Sequence, residues 1–202
     1  VRVLHTRDDD PAGLAVTEED VQKELDKRKP VGGPGATARR EEDRVELLSG
    51  IFEGKTTGAP ICLVVRNLDA DSSDYRRRRF SLRPGHADYT AYVKYGGFND
   101  YRGGGRFSGR ITAGFVMAGV IARKLLGIIG AEVIAHTVEI GGVAARPVDP
   151  GEINQNMAGN PLHCADSEAA EKMIKAIEKA RQEGDSLGGI IEGVALRLPV
   201  GL

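Results

Sequence analysis

Residues 83–110 read RPGHADYTAYVKYGGFNDYRGGGRFSGR, and the other segments are best interpreted from this stretch outward. It places His86 in a Pro-Gly turn and continues into a glycine-rich run that carries arginines. Its permanent cations are Arg83, Arg102, Arg106 and Arg110. Glycine lets a backbone approach a ligand closely, arginine offers a planar fork of donors to carboxylate or phosphate, and histidine moves protons near neutral pH. The stretch therefore predicts a site for a small molecule with several negative charges.

An apolar segment follows directly, over residues 111–126. It is apolar on nearly every side, with small residues interleaved, so we predict a helix that is the most buried of the fold. Its uninterrupted apolar run stops at Arg123 and Lys124, which makes it too short to span a bilayer. The N–H groups at its start should point back at the arginine-glycine stretch and favour anions.

Hydrophobic periodicity predicts the remaining elements. A helix is expected over residues 17–29, with Thr17 as its N-cap and Val21 and Leu25 on one face. Another is expected over residues 167–183, with Ser167 as its N-cap and Gly184 at its end. Strands are expected over residues 44–48, 61–65, 132–140 and 189–198 because these segments are rich in β-branched and apolar residues.

Length and composition limit the class of protein. With 202 residues, 41% of them hydrophobic, one globular domain is expected. The formal net charge of −1 gives no overall attraction for nucleic acid, so anion binding has to be local. Two distant cysteines, Cys62 and Cys164, favour a reduced, cytosolic setting over a disulfide framework. The histidines lack metal-ligand spacing, and the glycine run lacks the ending of a phosphate-binding loop.

Long blocks in the chain carry a family resemblance. RPGHADYT and DYRGGGRFSGR, with PAGLAVTEEDVQKELDKRKP, RREEDRVELLSGIFEGKTTGAPICLVVRN and GGIIEGVALRLPVGL, resemble chorismate synthase. The resemblance implies an α/β fold, an α+β sandwich whose antiparallel sheets pack around central helices. It also implies a lyase that eliminates phosphate from 5-enolpyruvylshikimate 3-phosphate to give chorismate, the last step of the shikimate pathway.

The same resemblance implies a cofactor and the partners of the protein. Reduced FMN is required but not net consumed, and its electrons come either from NADPH at the protein itself or from an external donor. The family's enzyme is a cytoplasmic homotetramer when full length. Its partner is the small anionic substrate, and neither nucleic acid nor a membrane is expected.

Roles of single residues also follow from the resemblance. His86 is the catalytic acid of the RPGHAD turn. The substrate is held by Arg28, Arg83, Ser108 and Arg110, and FMN is contacted by Arg106, Phe107 and Ser108. From the residues alone, simpler interpretations stay open: His86 as a turn histidine bonded to backbone, and Arg28 as a helix-end cation on a solvated face.

The chain departs from the family pattern at several positions. Many relatives have serine at Phe107, a Glu-Thr pair at Ile111 and Thr112, and a basic residue at Pro34, where Arg39 and Arg40 follow and offer replacement cations. The family's Gly-Glu-Ser-His-Gly motif, which carries a second active-site histidine, is not found before PAGL. We therefore expect residues 1–10 to be an atypical leader outside the fold, residues 11–202 to be one C-terminally incomplete domain, and this chain alone to be inactive or nearly so.

Two other functional classes compete with an enzyme. A catalytically incompetent structural fragment would keep the fold without the full site. An arginine-glycine nucleic-acid-binding module would use RGGGR together with the run Arg76–Arg79, although few aromatic residues and a near-neutral charge count against it.

Overall fold

A computed structural model of the chain describes residues 2–5, 11–28, 43–67, 73–77 and 79–201. Of these, the residues up to Ile121 form one compact unit and those from Ala122 onward form another. The single domain expected over residues 11–202 stays a prediction. Each unit has its own antiparallel sheet and its own buried apolar side chains. Each unit therefore has a small hydrophobic core.

The first unit combines short strands with helices. Its strands are β1 (Arg2–His5), β2 (Val45–Ser49), β3 (Ile51–Phe52), β4 (Lys55–Thr56) and β5 (Cys62–Val65), and its helices are α1 (Glu18–Lys27), α2 (Ser73–Arg77) and α3 (Asp88–Lys94). Two 3-10 turns, Gly105–Phe107 and Gly109–Ile111, lead into α4 (Thr112–Ile128). Mixed helices and antiparallel strands confirm the predicted fold class.

The central strand of the first unit is β5, which pairs antiparallel with β1 on one side and β2 on the other. Leu63 and Val64 of β5 are both buried although they point to opposite faces. The pairing of β1 corrects the expectation that residues 1–10 lie outside the fold. Four residues are too few to show a strand period in the sequence, but their backbone groups complete the sheet. Residues 6–10 lie outside the described residues.

Helix α1 forms as its sequence predicts. Thr17 and Asp20 make a reciprocal capping box, and Val21 and Leu25 are buried. The helix also covers the free edge of β2. The backbone N–H groups of two β2 residues, Val45 and Leu47, each donate to an α1 side-chain oxygen at 2.9 Å. An edge strand whose donors are satisfied in this way is protected from pairing with other chains.

Helix α4 is buried on one side only, which corrects the prediction of the most buried helix. Ala113, Met117 and Ile121 are buried, whereas Phe115 is 67% exposed and Ile128 is 69% exposed. Apolar composition shows what a helix can bury, not whether neighbours surround it. The helical segment Gly109–Ile128, with mean hydropathy 1.6, is long and apolar enough to cross a membrane by length and composition, a test that core helices of globular proteins also pass.

The second unit is built around a sheet ordered β7–β6–β8, all antiparallel. Its strands are β6 (Glu132–Ile140), β7 (Val143–Ala144) and β8 (Gly189–Leu196), and its helices are α5 (Ile153–Asn156) and α6 (Ser167–Gln182). Ile134 of β6 packs with Ile153 of α5 and Val194 of β8, and Met173 of α6 packs with Cys164. The predicted strand over residues 132–140 is confirmed at its full length.

The start of α6 differs by one residue from the prediction. Asp166, not Ser167, is the N-cap, and its carboxylate accepts from the N–H groups of Glu168 and Ala169 at 3.1 and 3.2 Å. Both residue types cap helices well, so the sequence does not separate them. The carboxylate prevails because it is also bound by an arginine, as described below.

Candidate active site

The histidine turn, residues 83–88, is held by an arginine and an aspartate. Arg83 donates from Nε and Nη2 to the two carboxylate oxygens of Asp88 at 2.8 and 2.9 Å, and its backbone N–H donates to the same carboxylate at 3.1 Å. The guanidinium lies 5.1 Å from the ring centroid of Tyr75. These contacts close the turn around His86, whose backbone N–H donates to the Arg83 carbonyl at 3.4 Å.

The charge of Asp88 is strongly stabilised in this turn. Hydrogen bonding from the Arg83 side chain lowers the pKa of Asp88 from 3.8 to about 2. Part of the positive charge that was predicted to bind substrate is therefore already neutralised within the protein. The remaining N–H donors of Arg83 stay able to contact an anion, because the bidentate pair uses one edge of the guanidinium.

The imidazole of His86 is exposed at the tip of the turn. Its Nδ1 lies 3.0 Å from the Pro84 carbonyl oxygen, which can only accept a hydrogen bond. We therefore assign the proton of the neutral ring to Nδ1, which leaves the lone pair on Nε2. His86 therefore makes the backbone contact of a turn histidine, and its Nε2 is the ring nitrogen not used in that contact.

The arginine-glycine loop, residues 102–110, is tightly folded. Gly105 has a φ of 50°, a conformation that glycine adopts without strain. A Cβ added to Gly104 would lie 2.9 Å from the Cβ of Ser108, so the loop closes on itself there. The Ser108 hydroxyl accepts from the Arg110 N–H at 3.3 Å and caps the second 3-10 turn. Its own hydroxyl hydrogen can still be donated to a ligand.

Two side chains of the loop are open to solvent. Arg106 is exposed and makes no ion pair or hydrogen bond with any residue that the structure describes. The neighbouring Phe107 is 48% exposed. The Arg106 guanidinium and the Ser108 hydroxyl offer hydrogen-bond donors that suit a phosphate. The exposed Phe107 ring offers an apolar surface that suits the flat rings of a flavin nucleotide.

Arg28 reaches the same loop from 84 residues away. It follows the last turn of α1, and its Nε donates to the Thr112 hydroxyl at 3.1 Å. Its Nη1 donates to a carboxylate oxygen of Asp43 at 3.2 Å. The Thr112 hydroxyl in turn donates to the carbonyl of Gly109 at 2.6 Å. Arg28 is thus anchored against the first unit's loop, which a solvated helix-end cation would not be.

The described contacts form two groups. One group joins Arg83, Asp88, Tyr75 and the backbone of His86, and the other joins Arg28, Thr112 and the loop. Arg79, which precedes the histidine turn, stacks on Tyr101, which precedes the loop, at 4.8 Å from the ring centroid. No hydrogen bond or ion pair connects His86 to the loop among the described residues. The sequence also predicts that His86, Arg83, Arg106 and Arg110 face one concavity with Ser108 at its edge, and this stays a prediction.

The run Arg76–Arg79 is partly engaged within the protein. Arg77 pairs with Asp74 along α2, and Arg79 stacks on Phe80 and Tyr101. Such pairing reduces the charge that the run offers to a polyanion, which weakens the nucleic-acid alternative. Pro34, Arg39, Arg40 and Arg78, which the sequence analysis also singled out, lie outside the described residues.

The sequence analysis missed the partners of its arginines and a cleft in the second unit. Asp43 and Thr112 were not singled out as ligands of Arg28, because nothing local in a sequence reports a contact across 84 residues. The cleft has a volume of about 550 Å³ and is lined by Arg146, Asp149, Glu152, Asn156 and Asp166. Arg146 is bound by Asp166 and Glu168, so its charge is compensated and no function is assigned to the cleft.

Comparison with known proteins places these residues in a family. The family profile described as chorismate synthase matches residues 3–202. A chorismate synthase of Dehalococcoides mccartyi is 56% identical over 192 residues, which cover 95% of this chain and 53% of the relative. One of Aeropyrum pernix is 52% identical over 194 residues, covering 95% of this chain and 51% of the relative.

A solved structure agrees with the sequence matches. The crystal structure of a chorismate synthase superposes with a TM-score of 0.70 at 26% identity, covering 98% of this chain and 58% of the solved one. The chain spans about half the length of the curated relatives it matches. A match over residues 3–202 at this identity shows that the chain belongs to the chorismate synthase family.

Proposed function

We propose that this protein acts as a chorismate synthase, converting 5-enolpyruvylshikimate 3-phosphate to chorismate. The observation that carries the proposal is the contact of Arg28 with Thr112 at the end of the arginine-glycine loop, which brings two anion-binding segments to one place. The family match over residues 3–202 favours this activity over a structural remnant. In this 1,4-elimination a ring C–H bond and the C–O bond to phosphate break, the proton passes to a base, inorganic phosphate leaves with the C–O electron pair, and the ring gains one C=C bond.

The arginines account for the substrate's charges. The substrate carries two carboxylates and a phosphate, and Arg28, Arg83 and Arg110 are the cations we assign to them, with Ser108 as a neutral donor. Because the guanidinium groups are placed before the substrate arrives, they stabilise the charge that develops on the leaving phosphate without reorganising. Bidentate geometry adds orientation to this stabilisation.

His86 is the proposed proton-transfer group. With Nδ1 held by the Pro84 carbonyl at 3.0 Å, Nε2 is the nitrogen that gives up or takes a proton. In the protonated ring both nitrogens are donors, so Nε2 can act as the acid while Nδ1 keeps its backbone contact. Replacing His86 by alanine should lower turnover on the order of a hundredfold or more while the chain stays folded.

Reduced FMN is the proposed cofactor, and it supplies the electron chemistry of the elimination without being net consumed. The residues that would hold it are Arg106, Phe107 and Ser108. Arg106 offers a charge that no described residue neutralises, Phe107 offers an exposed ring, and Ser108 offers a hydroxyl hydrogen. With phenylalanine in place of the family's serine, residue 107 contributes packing and its backbone instead of a second hydroxyl.

We also propose the family's setting for this protein. It functions in the cytoplasm as a homotetramer, with the small anionic substrate as its partner and with no role for nucleic acid or a membrane. The electrons for FMN come either from NADPH oxidised by the protein itself or from an external donor. The ion pairing of Arg77 and the stacking of Arg79 support the exclusion of nucleic acid.

Anaerobic assay of the chain with reduced FMN and 5-enolpyruvylshikimate 3-phosphate tests the proposal. We expect chorismate and phosphate to appear in equal amounts, at a rate that falls on the order of a hundredfold or more when His86 is replaced. His86→Ala is the matched variant. Substrate binding without any product would favour the structural remnant, and absence of binding as well would contradict the proposed function.

A further inference from the structure

A small polar network surrounds Arg28, and it ties three parts of the first unit together. Arg28 lies at the end of α1, Asp43 precedes β2, and Thr112 opens α4. The arginine contacts both partners, from Nε at 3.1 Å and from Nη1 at 3.2 Å. Its side chain is 27% exposed and that of Asp43 is 16% exposed. The network is therefore partly shielded from solvent, where such contacts are stronger than on an open surface.

The direction of the hydrogen bonds at Thr112 is determined by chemistry. A hydroxyl has one hydrogen, and the Gly109 carbonyl, 2.6 Å away, can only accept it. The oxygen of Thr112 is then the acceptor for Arg28 Nε. Arg28 therefore donates to Thr112, and Thr112 donates to the Gly109 carbonyl. These two hydrogen bonds link the guanidinium to the backbone of the arginine-glycine loop.

Asp43 holds the other side of the guanidinium in an unusual backbone conformation. Its φ is 41°, in the left-handed region that few residues other than glycine adopt. Its carbonyl accepts from Gln22 Nε2 at 3.4 Å, and Gln22 Oε1 accepts from the Val45 N–H at 2.9 Å. Backbone strain of this kind persists where the surrounding contacts overdetermine it, and it is often found at functional sites.

The two contacts leave a defined part of Arg28 for a ligand. Nε and one hydrogen of Nη1 are used, while Nη2 makes no hydrogen bond with any residue in the described part of the chain. An arginine side chain has several rotatable bonds, and ordering it during binding opposes association. A guanidinium already held on two sides avoids most of this cost when an anion arrives.

We propose that Thr112 is a positioning residue for Arg28, which presets the guanidinium beside the arginine-glycine loop for the phosphate or a carboxylate of the substrate. The inference rests on the proposed function for the identity of the anion. The methyl group of Thr112 has no part in this role, so serine should replace it and valine should not. Removal of a single hydrogen bond of this type weakens binding by roughly fivefold to tenfold.

Two measurements on the full chain test the role of Thr112. The first is the rate at which the Arg28 Nε–H exchanges with water, followed by NMR and assigned with Arg28→Lys. The second is the affinity for 5-enolpyruvylshikimate 3-phosphate by calorimetry. In Thr112→Val we expect exchange to accelerate and affinity to fall roughly fivefold to tenfold. Thr112→Ser should behave like the unchanged chain in both, as should Thr90→Val, which removes an exposed hydroxyl on α3.

The outcomes separate this inference from the proposed function. If Arg28→Lys weakens binding but Thr112→Val leaves affinity and exchange unchanged, Thr112 does not position Arg28. If Arg28→Lys leaves affinity unchanged, Arg28 is not a substrate ligand, and the positioning role of Thr112 is lost with it. Thermal unfolding of each variant monitors folding. If the valine variant unfolds, Thr112→Ala, which also removes the hydroxyl, takes its place in both measurements, and unchanged exchange and affinity in that variant would overturn the proposal.

Discussion

At the scale of single residues, the arginines of the site are controlled by nearby carboxylates. Asp88 and Asp100 each hold an arginine of the stretch 83–110 through paired side-chain hydrogen bonds. Asp88 binds Arg83, and Asp100 binds Arg102 through two side-chain bonds of 2.9 Å. In contrast, Arg106 has no such partner among the described residues. The charge of Arg102 is therefore compensated within the protein, whereas that of Arg106 is open to a ligand. Counting the arginines in the sequence does not show this difference.

Replacing Asp88 by asparagine should loosen the histidine turn. The pKa of Asp88 is lowered from 3.8 to about 2, so its ionised form contributes stability above pH 4 that is lost as the pH falls towards 2. We expect a loss of roughly 1–2 kcal/mol at pH 7, measured by urea unfolding. The difference from the unchanged chain should shrink between pH 4 and pH 2.

Asp185→Asn is the control for that measurement, because this exposed carboxylate accepts from the N–H of its neighbour Ser186 and from no other described residue. A destabilisation that is equal in both variants, or that does not diminish in acid, would contradict the assigned role of the Arg83–Asp88 pair.

Gly104 tests how tightly the arginine-glycine loop is packed. Its φ is an ordinary −65°, so alanine adds no backbone strain, but the new Cβ would lie 2.9 Å from the Ser108 Cβ and 3.2 Å from its Cα. We expect Gly104→Ala to displace Ser108, to destabilise the chain by about 1 kcal/mol, and to weaken FMN binding measured by fluorescence quenching. Gly109→Ala, with no atom within 4 Å of the added Cβ, should leave stability unchanged. Equal melting of both variants would show that the loop adapts.

At the scale of secondary structure, α6 depends on a single carboxylate. Asp166 caps its first turn and receives two side-chain bonds from Arg146, at 3.0 and 3.3 Å. The Arg146 guanidinium holds the pKa of Asp166 well below its usual range. We expect Asp166→Ala to destabilise the chain by roughly 2–3 kcal/mol, because a cap and a paired, buried acceptor are lost together.

Ser167→Ala is the matched control for the cap, and thermal or urea unfolding is the measurement. The sequence-based assignment of the cap to Ser167 would be restored if Ser167→Ala, not Asp166→Ala, proved the more damaging variant.

Segments rich in apolar residues could be predicted from the sequence, including the short strands β2 and β5, which lie within one residue of their predicted bounds, whereas the two-residue strands and α3 could not. α1, β6, α6 and β8 lie within about two residues of their predicted bounds because each has a long hydrophobic pattern. α3 was missed because glycines and tyrosines around it obscure its period. Candidate site residues could be named from motifs, yet their partners could not, since Asp43 and Thr112 meet Arg28 only through the fold.

At the scale of the whole molecule, one sheet face of the second unit is apolar and uncovered among the described residues. Val133 lies opposite Ala195, and Ala135 lies opposite Gly193 on the same face. The exposed part of the face ends at Thr137, which is buried opposite Ile191. Val133 is 45% exposed and Ile191 is 65% exposed. Exposed apolar patches of this kind commonly mark protein interfaces. The face is therefore where we expect contacts between copies in the proposed homotetramer.

Size-exclusion chromatography with light scattering checks this expectation. The unchanged chain should elute as an assembly larger than its 21.6 kDa monomer, and Ile191→Lys should shift it towards the monomer. Ile129→Lys, at an exposed isoleucine outside the sheet, is the control. A chain that stays monomeric at every concentration would contradict the expected interface.

The shared carboxylate of Asp166 has a consequence for local opening of the second unit. The Arg146 N–H donates to one oxygen of Asp166 at 3.0 Å, while the first amides of α6 donate to the other. Neither segment can release its hydrogen bonds without disturbing the same side chain. The loop at Arg146 and the first turn of α6 should therefore open as one cooperative unit, and the amide hydrogens of Arg146, Glu168 and Ala169 should exchange with solvent deuterium with similar protection.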